Sequence, residues 1–161
     1  MKTYFTVILA LVALYLGWAM AGNSVTQTLN FQIGSFNEIA VSGDPDRFVI
    51  DRLNPGPFRT EITDSSTTYS ITTNGENRKI TMQLDQNMPQ NTDLKVTLTP
   101  PPGCQGNLEV PLSANAVDVI TGISHKVAAN LGITYKFGAD SKAGTLGPTT
   151  RVVTITICNG E

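Results

Sequence analysis

Apolar and polar residues alternate along most of this chain, and a period of two turns into one greasy and one wet face only on an extended strand. Residues 25–33 place Val25, Leu29, Phe31 and Ile33 on one face and Thr26, Thr28, Asn30 and Gln32 on the other. Residues 78–84 repeat the pattern with Ile80, Met82 and Leu84, and residues 94–99 with Leu94, Val96 and Leu98. Tyr69 and Ile71 alternate within 68–73. Further strands are expected at 38–41, 48–53, 108–112, 117–120, 133–137 and 151–158. These segments are rich in Thr, Val and Ile, which suit a pleated, half-buried surface. Turn signals separate them, among them Ser42-Gly43-Asp44-Pro45, Asn54-Pro55-Gly56-Pro57 and Pro100-Pro101-Pro102-Gly103. Asn74-Gly75, between two alternating runs, reads as a hairpin, and only 123–131 has room for a helical turn or two. The expectation is an all-β chain folded as one antiparallel β-sandwich, immunoglobulin-like, with a jelly roll or barrel as the alternative.

The first 21 residues break this pattern. Lys2, an apolar run from Phe5 to Leu16 and the small-residue exit Ala19-Met20-Ala21 read as a secretory signal peptide cleaved after residue 21. Removing 21 of 161 residues leaves 140, takes away Trp18, the only Trp, and shifts the formal net charge from −2 to −3 as Lys2 is lost. The remainder divides into 22–34, a separate N-terminal strand, and 35–161, the β domain. A secreted location follows, with membrane contact only through the signal before cleavage. Arg78-Lys79 is the one adjacent basic pair, so nucleic acid is not an expected partner.

Cys104 and Cys158 form an even pair in an oxidising compartment, which reads as a disulfide closing about 55 residues and worth roughly 4 kcal/mol. Catalytic chemistry finds little to work with. His125 is the only histidine, its neighbour Ser124 does not make a triad, and there is no G-x-S-x-G elbow, so no enzyme is expected. Carboxylates are plentiful but lie mainly at turns. The one cofactor to consider is calcium, because Asp44 and Asp46 stand two apart in a loop and offer the oxygen donors that hard cations prefer. No aromatic platform of the kind that grips sugars survives removal of Trp18; Phe58 and Tyr69 remain as ligand contacts for a monomeric adhesion or carbohydrate-binding module, the alternative function.

The segment behind the cleavage site carries the most functional content. Residues 23–33 hold no charge and no Pro, and Gly34-Ser35 releases them. Such a strand can pair at home or complete the sheet of a neighbour, turning an exposed edge into a contact. A signal peptide, an alternating N-terminal strand and a Thr-rich β domain with few charges resemble the donor-strand-complemented pilins and related prokaryotic extracellular filament subunits. That resemblance implies that Val25, Leu29, Phe31 and Ile33 fill a groove in the next subunit, so that the partners are other copies in head-to-tail order, and a cell surface or polysaccharide. The late cysteines and the ending Ile157-Cys158-Asn159-Gly160-Glu161 depart from the chaperone-usher pattern.

Overall fold

The computed structural model describes residues 25–51 and 58–160. The signal peptide expected at 1–21, residues 22–24, the end of the strand expected at 48–53 and the turn expected at 54–57 lie outside the described residues. Packing divides the chain into two units, Met1–Ile33 and Gly34–Glu161. In the first unit, described from Val25 on, residues 25–33 form no strand.

The second unit is all-β, and every strand pairing in it is antiparallel. Its strands are β1 (Asn37–Val41), β2 (Arg59–Thr73), β3 (Arg78–Leu84), β4 (Thr92–Leu98), β5 (Gln105–Gly106), β6 (Val110–Pro111), β7 (Val117–Ile123), β8 (Lys126–Asp140) and β9 (Val153–Asn159). A single 3-10 turn, Ser141–Ala143, follows β8. One sheet runs β1-β2-β8-β4-β6 and the other β5-β7-β3-β9. From β2 onward each connection carries the chain from one sheet to the other.

Alternation turns into a core that both sheets share. Ile80 and Met82 of β3 are fully buried and Leu84 nearly so, while Leu94, Val96 and Leu98 of β4 and Tyr69 and Ile71 of β2 close the same cluster from the other sheet. On β7 the period of two breaks, because Val119 and Ile120 are consecutive and both buried. A register slip does this: Ile80 faces Ile120 but Thr81 faces Asp118, so one residue bulges. A second slip lies between Arg78 and Ile80, opposite Gly122, whose φ of 74° is a left-handed conformation that glycine adopts without strain.

Besides the strand expected at 25–33, three expectations are corrected. Asn74-Gly75 is not a hairpin, since β2 pairs with β1 and β8 whereas β3 pairs with β7 and β9; the turn hands the chain between sheets. Residues 123–131 hold no helix but the turn from β7 into β8, whose small residues Ala128, Ala129 and Gly132 hid a strand. Residues 48–51 form no strand; Phe48 instead packs its ring on Phe137, with centroids 6.1 Å apart. The first half of β2 carries no alternating pattern, because Glu61, Asp64, Ser65 and Ser66 leave Ile62 as its only large apolar residue.

Candidate functional site

The N-terminal segment leaves its four face-sharing apolar residues in solvent: Val25 is 94% exposed, Leu29 73%, Phe31 90% and Ile33 82%. Where the β domain begins, the turn after β2 holds the backbone fast. The Asn74 side-chain amide donates to the Gly34 carbonyl at 2.8 Å, its oxygen accepts the Phe36 N–H at 2.9 Å, and its own N–H donates to the Phe36 carbonyl. Thr73, itself buried, donates to Asn37 at 2.6 Å and accepts the Gly75 N–H. One asparagine thus fixes the point from which the chain continues toward its N-terminus. In the sequence Asn74 reads as turn chemistry, and nothing local pairs it with Gly34.

The sheet edges differ sharply in how they are guarded. β5 and β6 are two residues each, and short edges offer little to pair with. β1 carries Glu38; the stretch of β2 beyond β1 carries Arg59, Glu61 and Asp64; the stretch of β8 beyond β4 carries Lys126 and a register slip. β9 has none of these devices. Its seven residues, VTITICN, contain no charge and no Pro, pair with β3 in unbroken register and have no second ladder partner among the described residues. Val153, Ile155 and Ile157 pack against the core yet remain only half-buried, unlike their fully buried counterparts on β3.

The two cysteines require a correction. Both are free thiols. Cys104 immediately precedes β5 and Cys158 lies on β9, the opposite edges of the four-stranded sheet. Three strand spacings separate them, about 14 Å, against the roughly 4.4–6.8 Å between Cα atoms that a disulfide needs. The spacing in sequence carried no information about which edges the strands would occupy.

Asp44 and Asp46 are both exposed, and among the described residues no group of three His, Cys, Asp or Glu gathers there or elsewhere to complete a metal site. His125 occupies the β7–β8 turn at φ 45° with its Nε2 3.2 Å from Glu76, and Ser124 beside it accepts a hydrogen bond from the Asn77 N–H instead of meeting the imidazole. Tyr69 is 1% exposed and donates its hydroxyl to the Thr99 carbonyl at 2.6 Å, so it faces no ligand. Phe58 is exposed, with the Lys142 ammonium 5.7 Å from its ring centroid.

The outward face of the five-stranded sheet is covered by charge. Arg59 pairs with Glu61 and Asp140, each at 3.1 Å, and with Asp93; Lys95 reaches Glu61, Asp93 and Glu109; Lys136 reaches Glu109 and Glu61. The hydrogen bond from Lys136 and its charge hold Glu109 below the ordinary carboxylate value and Lys136 above that of a free lysine. This net of opposite signs satisfies itself and presents no single-sign field to a partner. No family model, curated protein or solved structure matches the chain, so the functional reading rests on these residues and their surroundings.

Proposed function

We propose that this chain is a secreted structural subunit of an extracellular filament or surface assembly, an immunoglobulin-like sandwich that polymerises when residues 25–33 of one copy insert into the sheet of the next. The proposal includes the cleaved signal peptide of 1–21 and the likeness to donor-strand-complemented pilins. The observation that carries it is the exposure of Val25, Leu29, Phe31 and Ile33 in a stretch without charge or Pro.

Magnitudes favour a sheet edge over a smooth surface as the place where this segment is ordered. Burying each of these side chains is worth about 2 kcal/mol, whereas ordering each of nine backbone residues costs about 1–2 kcal/mol. Apolar burial by the segment alone therefore does not balance its ordering. The surplus has to come from ladder hydrogen bonds and from covering apolar surface on the acceptor, which a sheet edge supplies and a smooth protein surface does not. The competing reading, a monomeric adhesion or carbohydrate-binding module, retains Phe58 but loses Tyr69 to the core.

Negative-stain microscopy of the exported protein, with and without residues 22–34, tests the proposal. Filaments from the full chain and monomers from the truncated one are expected. Compact monomers from the full chain at high concentration overturn it.

A further inference from the structure

We infer that β9 is the acceptor, taking residues 25–33 of a second copy of this chain as a fifth strand of the β5-β7-β3-β9 sheet. The inference rests on the strand-insertion reading above and names the surface that reading leaves open.

Hydrogen-bond parity on β9 identifies the groups on offer. The Gly160 N–H donates to the Asn77 carbonyl and the Asp85 N–H to the Val152 carbonyl, and these two pairs bracket an unbroken antiparallel register. In such a ladder directly bonded pairs alternate with non-bonded ones. Residues 152, 154, 156, 158 and 160 therefore spend their backbone groups on β3. The N–H and C=O groups of Val153, Ile155 and Ile157 point the other way, to the open edge. The side chains of those same three residues are the ones that face the core and stay half-buried.

One incoming strand satisfies both deficits at once, pairing the outward backbone groups and laying its apolar side chains over Val153, Ile155 and Ile157. The match of the two segments is close in kind. Val25, Leu29, Phe31 and Ile33 share one face with Gln27, β9 sets Val153, Ile155 and Ile157 opposite Thr154, Thr156 and Cys158, and neither segment carries a charge whose burial would oppose pairing. The other edges are short, charged or interrupted, as natural sheets arrange where edge pairing is to be prevented. β1 comes near β9 but forms its ladder with β2 alone.

Cys158 offers a native reporter. It lies on the face of β9 opposite Val153, Ile155 and Ile157, the face on which Thr26, Thr28, Asn30 and Gln32 of an incoming strand would stand. The test introduces one cysteine at a time, Thr26→Cys, Thr28→Cys, Asn30→Cys or Gln32→Cys, into full-length exported protein carrying Cys104→Ser. After assembly, each is oxidised with diamide and run on a denaturing gel without reductant. These exposed positions lie outside the core, so the variants fold as the parent does. At least one position is expected to give a ladder of covalent oligomers that collapses with dithiothreitol and disappears in Cys158→Ser. Filaments by microscopy without a Cys158-dependent ladder at any of the four positions overturn β9 as the acceptor while leaving strand insertion intact. Monomers throughout, in parent and variants alike, overturn both.

Discussion

Tyr69 shows how much one side chain does here. It is the largest fully buried side chain among the described residues, its hydroxyl closes on the Thr99 carbonyl, and burial pushes its pKa well above the ordinary phenol value. Tyr69→Phe keeps the ring but strands that carbonyl, and a loss of about 1–2 kcal/mol in urea unfolding is expected. Tyr135 is raised by burial, with the charges of Asp44 and Asp64 adding to it, up to about 12 from 10.0. The folded state therefore holds its proton where the unfolded chain gives it up. That contribution is complete below pH 10 and is lost as pH rises toward 12, roughly 2–3 kcal/mol in all. Glu109 acts in the opposite direction. Its lowered pKa adds stability above 4.5 that is lost as pH falls through the folded value. Thermal unfolding from pH 3 to 12 is expected to show both limbs, with Glu109→Gln flattening the acid one. The thiols give a sharper check. Two should react with a thiol reagent in unfolded protein that has never met a reductant, and Cys158→Ser, on the face of β9 away from the core, should change stability by no more than about 0.5 kcal/mol.

At the scale of elements, the sequence is most legible where apolar residues alternate without interruption. The β3 and β4 cores could be named from Ile80-Met82-Leu84 and Leu94-Val96-Leu98, and each of those residues is buried. Legibility fails where a strand is held by its neighbours and not by its own side chains. The Arg59–Asp64 stretch is a strand because β8 lies beside it, residue against residue from Arg59 opposite Asp140 to Asp64 opposite Tyr135. Its outward charges are paired across strands, an arrangement no local pattern announces. The bulge on β7 is similarly hidden, since a left-handed Gly122 reads as an ordinary small residue until its partner strand is known. Gly122→Ala there is expected to cost about 1–2 kcal/mol by urea unfolding, because alanine must adopt a conformation its Cβ opposes. In the candidate site, Val25, Leu29, Phe31 and Ile33 stood out from sequence alone, whereas the open edge of β9 and the Asn74 clamp needed the sheet order.

For the whole domain, shuttling between sheets at every step from β2 onward means that hardly any strand pairs with its neighbour in sequence. The pairings are long-range, the class that folds in milliseconds to seconds and leaves edges uncovered meanwhile. Refolding by denaturant dilution is expected on that scale, and submillisecond folding would contradict it.

The Asn74 clamp has a metric consequence. With Gly34 anchored to the β domain, the nine residues from Val25 to Ile33 are a tether no longer than about 30 Å when extended. In any assembly built by this segment, that length caps the distance between the anchor of one copy and the surface it occupies on the next. In such an assembly a count of residues would bound the axial spacing from above, and deleting a two-residue step such as Gln27-Thr28 would shorten the reach by about 7 Å without inverting which side chains face the sheet.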